Sequence, residues 1–153
     1  MSGQPQERGK KMVDKANRVE ELGQKYRMFF ENMGEGACIL DENMVITLAN
    51  DKLCETSGYS RDELLGKKVY TFFGGVSKKI IRSEFKKRTK GKSSHYTLAG
   101  KTKEGKEMFF SVCSAPLFDK KRKFNGAIVI IADITEKKKS EKKLKERTIE
   151  LEK

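Results

Sequence analysis

The sequence predicts an α+β fold, a five-stranded antiparallel sheet with helices on one face, preceded by an amphipathic helix and followed by a coiled-coil-like helix. Three observations predict it. Two short apolar runs near residue 40 are divided by a polar turn. Capped, helix-like stretches then occupy the middle third. The last third reads as three strands, the final one apolar at both parities.

The first element is a helix over 12–33. Met12, Val19, Tyr26 and Met33 recur every seven residues with Ala16, Leu22 and Phe29 between them, and Gly34 and Gly36 end the stripe. Such a stripe needs a partner surface. Ala37–Leu40 and Met44–Ala49 flank Asp41-Glu42-Asn43 as a hairpin. Asn50 is placed to cap a short helix through Leu53 and Cys54, and Ser57-Gly58-Tyr59 breaks it. Ser60 and Glu63 form a capping box before Leu64-Leu65, and Gly66 stops that turn of helix. A loop carrying Val69, Tyr70, Phe72 and Phe73 leads to a longer helix over 77–90. There Ile80, Ile81 and Phe85 share a face and the lysines and arginines are expected in water.

Strands follow over 93–101 and 106–117 around the turn pair Glu104-Gly105, and again over 127–132. In the second of these, Met108, Phe110 and Val112 alternate with Phe109, Ser111 and Cys113. Internal helices cover only one face, so the other carries an apolar patch that calls for a cover. The N-terminal stripe is the candidate, from its own chain or from a second copy. From Thr135 the chain is rich in Glu and Lys, with Leu144 and Leu151 seven apart, a short heptad signal. The resulting division is a disordered tail over 1–11, a cap helix over 12–33, a core over 34–134 and an exit helix over 135–153. The ending at Glu150-Leu151-Glu152-Lys153, in mid-helix without a cap, is what a piece of a larger protein is expected to show, and a small free-standing protein is the alternative.

Composition narrows the function. A chain of 153 residues with 36% apolar and 37% charged residues supplies one modest core and much solvated surface. No apolar stretch approaches the roughly 18 residues of a membrane span, and the polar start lacks a secretory signal. Cys38, Cys54 and Cys113 are odd in number and scattered, which argues for free thiols in a cytoplasmic protein and against a zinc site or an iron–sulfur cluster. Cys113 falls on the outer face, where burial under a helix is weighed against redox reporting. A single histidine, His95, excludes constellations built on several. The net charge of +12 is concentrated in Lys78–Lys92 and in Lys137–Arg147, the latter interleaved with glutamates. With no nucleic-acid motif beside it, this pattern reads as solvated helix rather than specific nucleic-acid binding. No nucleophile elbow, P-loop, zinc helix or kinase motif is present, so the chain reads as non-catalytic.

Four segments in order resemble those of PAS domains, over about residues 26–140. They are Asp41-Glu42-Asn43 with Ile46 and Ala49-Asn50; Gly58-Tyr59-Ser60-Arg61-Asp62-Glu63-Leu64-Leu65-Gly66; Lys103-Glu104-Gly105; and Gly126 through Asp133-Ile134-Thr135-Glu136-Lys137-Lys138. The family often has glycine where Met44 stands, and Asn43 is expected to supply the left-handed turn residue instead.

The resemblance implies a cavity between the sheet and the long helix. Its candidate lining is Ile46, Leu48, Phe72, Phe73, Ile81, Phe85, Phe110, Val112 and Ile130, with Tyr96, Thr97 and Ser114 as polar contacts. These residues equally suit a filled core. Flavin-binding relatives carry a cysteine motif before the long helix; Val69–Gly74 has none, which disfavours a flavin–thiol adduct. Haem-binding relatives use a histidine on the long helix; 77–90 has none, and His95 reads as a strand residue, so haem is also disfavoured. The cofactor is left open.

Asp133 and Thr135 read as caps of the exit helix, and the family implies a signal joint there. Val19, Leu22, Tyr26, Leu144 and Leu151 are the candidate dimer contacts. The implied role is a sensory module that forms a homodimer and acts on an effector such as a histidine kinase, in cis or in trans, as in two-component systems. The alternative is a ligand-free dimerisation or scaffold module.

Overall fold

The computed structural model describes residues 5–152, with side chains from residue 7. The chain divides into two compact units, Met1–Met33 and Gly34–Lys153. The first is helix α1, Pro5–Glu31. It starts well before Met12, so residues 5–11 of the expected disordered tail are helical, while residues 1–4 lie outside the described residues. The reason is local: apart from Gly9, the stretch Glu7–Lys11 consists of good helix formers with an acidic residue in the first turn. Met12, Val19, Leu22, Tyr26 and Phe29 of α1 are all exposed.

The second unit contains β1 (Gly36–Asp41), β2 (Ile46–Ala49), α2 (Asp51–Ser57), α3 (Arg61–Leu64), a 3-10 turn (Val69–Phe72) and α4 (Gly75–Thr89). After these come β3 (Ser94–Lys101), β4 (Glu107–Phe118), β5 (Phe124–Asp133) and α5 (Thr135–Glu152). The five strands form one antiparallel sheet in the order β2-β1-β5-β4-β3. Helices α2–α4 cover the face that carries Cys38, Leu40, Leu98, Phe110, Val112 and Val129. The fold is the α+β class that the sequence predicts.

Strand parity corrects three expectations. In β2, Leu48 pairs with Ile39 but Ile46 pairs with Leu40, leaving Thr47 as an extra, bulged residue whose hydroxyl donates to Ile39 O at 3.1 Å. The bulge puts Ile46 on the inner face and Leu48 on the outer, where it is 51% exposed. Leu48 therefore does not line a cavity. In β5, Ile130 pairs with the exposed Cys113, so Ile130 points outward and its neighbours Val129 and Ile131 point inward. Thr97 pairs with Ser111, which shares the outer face with Phe109, and it too faces away from the helices.

Asn50 joins three segments. Its Oδ1 accepts from the amides of Ala37 and Leu53, both at 2.9 Å, and its Nδ2 donates to Glu35 O at 3.1 Å. The helix cap is thus also a bridge to the start of β1. Ser60 and Glu63 form the reciprocal capping box. At the β1–β2 turn, Met44 itself adopts φ 67°, not Asn43. Asp41 Oδ1 accepts from the Asn43 and Val45 amides at 2.8 and 3.0 Å and fixes the turn, while the buried Met44 side chain packs into the core and offsets the strain.

Gly126 on β5 has φ 149°, and a Cβ there would lie 2.0 Å from Leu40 O. Gly126→Ala is expected to lower the unfolding free energy by about 3 kcal/mol or more, because it must open the β1–β5 ladder. Urea denaturation checks this; an unchanged midpoint would refute the close approach.

Candidate functional site

Between the sheet and the helices lie two small adjoining cavities. The first, about 60 Å³, is lined by Cys38, Ile46, Leu53, Tyr59, Leu64, Phe72 and Phe110 among others. The second, about 30 Å³, lies against α4 and is lined by Leu40, Ile81, Phe85, Arg88, Tyr96, Ser114 and Val129. Val69, Phe73, Leu98, Val112 and Ile131 border both. Thus Ile46, Phe72, Phe73, Phe110 and Val112 of the candidate set meet at the first, and Phe73, Ile81, Phe85 and Val112 at the second, with Tyr96 and Ser114 as its polar members.

Volume constrains what fits. Ligand pockets typically span about 300–1,000 Å³, so a flavin or a haem would require these walls to part. Cys38 is the one cysteine lining either cavity, and complete burial pushes its thiol from the ordinary 9.0 up to about 12. A thiol held neutral in this way is a poor nucleophile, and the residues present do not fit a flavin–thiol adduct. His95 donates to or accepts from Ser111 Oγ at 2.6 Å on the outer face and borders neither cavity, so it does not fit an axial haem ligand either. Among the described residues, no group of three or more His, Cys, Asp or Glu side chains is placed to hold a metal ion.

One cavity residue contradicts the sequence reading. Arg88, expected in water with the other cations of α4, is only 1% exposed. It stands seven residues after Ile81 and three after Phe85, on the inward face, a spacing that its charged neighbours masked. Its Nη1 donates to Lys92 O at 2.7 Å, its Nη2 donates to Ser94 Oγ, and Nη2 lies 3.7 Å from Glu84 Oε2. Burial works against the Glu84 carboxylate. Hydrogen bonds from Ser94 and Lys87 and the charges of Lys87 and Arg88 outweigh it and hold its pKa below the usual value. Burial pushes the Tyr96 phenol from 10.0 up to about 12.

At the far end of the sheet, β5 turns into α5 through a compact joint. Asp133 Oδ1 accepts from the Thr135 amide at 2.9 Å and from its hydroxyl at 2.5 Å. Thr135 Oγ1 in turn accepts from the Phe109 amide on β4 at 3.1 Å, and the Ile134 amide donates to Phe109 O at 2.9 Å. The first residue of the exit helix therefore occupies the next rung of the β4 ladder. Beyond it, Leu144 and Leu151 are exposed. A second strap, absent from the sequence reading, holds the β3–β4 hairpin to the short helices. Lys103 Nζ contacts Glu63 at 2.9 Å and the Lys103 amide donates to Ser57 O at 3.0 Å.

A five-stranded antiparallel sheet clasped on one face around small cavities, with a helix leaving its central strand, defines a sheet-and-clasp domain. A family model for the PAS domain matches residues 34–136, and the chain belongs to that family of sensory modules, whose members are generally non-catalytic. Among solved structures, the PAS domain of a Colwellia psychrerythraea protein is similar at 20% identity and TM-score 0.67, covering 75% of this chain and 98% of its own. The PAS domain of an HTR-like protein from Haloarcula marismortui is similar at 19% identity and TM-score 0.67, covering 80% and 99%. An RNA-binding light-oxygen-voltage receptor is similar at 16% identity and TM-score 0.73, covering 88% of this chain and 38% of its own. These likenesses concern the fold. No curated protein matches the chain. Among the described residues, no helix is long and apolar enough to cross a membrane.

The buried thiol sets a pH dependence. Its folded pKa lies above its unfolded one, so its contribution is fully present below pH 9.0 and is lost as pH rises toward about 12. Above the unfolded value, stability is expected to fall by about 1.4 kcal/mol per pH unit for this one proton. Tyr96 acts in the same direction from 10.0 upward. Cys38→Ala should show a shallower decline than the parent in urea titrations at about pH 8 and about pH 10; equal slopes would contradict the assignment.

Proposed function

We propose that this chain is a non-catalytic cytoplasmic sensory domain that dimerises and passes a small-molecule, redox or partner signal through its flanking helices to an effector such as a histidine kinase. The observation that carries this reading is the Asp133–Thr135–Phe109 joint. A shift of β4 against β5 cannot occur without disturbing the hydrogen bonds that start α5. A cap with two arrangements is a bistable element that both the core and the helix bias.

Dimerisation is supported by exposed apolar surface. On the outer sheet face Phe109 is 39% exposed and, further along the sheet, Ile128 and Ile130 are half-buried, while Val19, Leu22, Tyr26, Leu144 and Leu151 are exposed on the two end helices. The small cavities favour a second reading, a ligand-free dimerisation or scaffold module. The two readings differ in whether α5 responds to what happens in the core.

Asp133→Ala is expected to cost about 1 kcal/mol, the worth of a cap, while speeding hydrogen exchange of the Phe109 and Ile134 amides and of the first turns of α5. In the protein joined to its effector it should uncouple output from input without unfolding the core. Unchanged output would sink the relay. Phe109→Asp should shift the sedimentation coefficient from dimer to monomer at micromolar concentration; a parent that is already monomeric there would refute the dimer.

A further inference from the structure

The second cavity is lined by a buried charge with an unsatisfied donor. Arg88 Nε is the one buried side-chain nitrogen or oxygen among the described residues that has no hydrogen-bond partner. The carboxylate that balances this guanidinium is shared: Glu84 sits 3.0 Å from Lys87 Nζ and 3.7 Å from Arg88 Nη2, so two cations divide one negative charge. Burying a guanidinium is costly unless it is paired and its donors are satisfied. A local surplus of positive charge, with a free donor, therefore lines a space whose other walls are Leu40, Ile81, Phe85 and Val129. Tyr96, whose phenol interacts with the Arg88 guanidinium, and Ser114, whose hydroxyl donates to Ile128 O at 3.1 Å, also line it.

The size and the walls define the ligand. A volume of about 30 Å³ holds a carboxylate-sized group. Phe73, Val112 and Ile131, shared with the neighbouring cavity, form an apolar route from that group toward the larger space. A phosphate or a dicarboxylate would bring more negative charge than one surplus cation balances, and would strand polar oxygens against Phe73 and Val112.

We propose that the Arg88 cavity is a binding site for short-chain monocarboxylates. The acid's oxygens accept from Arg88 Nε, and its alkyl chain lies between Phe73, Val112 and Ile131. This deepens the sensory reading, on which its purpose rests, by naming the class of signal; binding itself is read independently of any relay.

The test titrates the whole chain with butyrate, hexanoate and hexanamide, following backbone amide shifts and, in parallel, hydrogen exchange in α5. Hexanoate should move the amides of Arg88, Tyr96 and Ser114 and bind about tenfold or more tighter than hexanamide, the worth of a charge-assisted hydrogen bond. Arg88→Gln should abolish that difference. Glu84→Gln, which removes the competing carboxylate, should tighten hexanoate several-fold and keeps the proposal testable if the Arg88 variant does not fold. Equal affinity for acid and amide, shifts confined to the surface lysines, or hexanoate binding that Glu84→Gln leaves unchanged would overturn it. Hexanoate binding with no change in α5 supports this site and counts against the relay.

Discussion

The arrangement depends on where one side-chain amide is placed. Asn50 closes the β1–β2 hairpin, starts α2 and holds Glu35 at the entrance to β1, and it does so while fully buried. An amide is suited to this because it accepts twice through one oxygen and donates through its nitrogen. Leucine or valine of similar size would leave the Ala37 and Leu53 amides without that acceptor in a region that water does not reach. Because α2 is anchored at this point, Leu53 lies against Gly36, where an added Cβ would meet it at 3.1–3.3 Å, and the first cavity acquires its end wall.

What the sequence made legible was whatever a local rule dictates. The capping box at Ser60 and Glu63, the Asn50 cap and the β3–β4 turn at Gly105 each follow from residues within one turn of each other. The inner residues of β4 followed from simple alternation. Legibility failed where an extra residue or a neighbour across the sheet decided. Nothing in Ile46-Thr47-Leu48 announces the bulge that sends Leu48 outward, and only pairing with Cys113 tells which parity of β5 faces out.

Arg88 failed to be read for a different reason. On a helix where lysine and arginine are the commonest residues, charge suggests solvent more strongly than spacing suggests burial. Its position relative to Ile81 and Phe85 was visible, yet the cost of burying it argues the opposite way. Buried charge of this kind is where local rules and global structure disagree, and such disagreements gather at functional positions. Met44 is a milder instance: its positive φ is tolerated because its side chain is useful inside.

The order of the strands has a consequence for how the molecule comes into being. β5 lies between β1 and β4, pairing Gly36 with Ile131 and Phe110 with Asp133. Until β5 is available, β1–β2 and β3–β4 are separate hairpins with unpaired inner edges, and each is too small to persist alone. Closing the β1–β5 ladder spans most of the core sequence, so the loop-closure entropy falls late and on a single step. The nascent chain therefore emerges with two sticky half-sheets, and its window of vulnerability to aggregation closes only as its last strand slots between them.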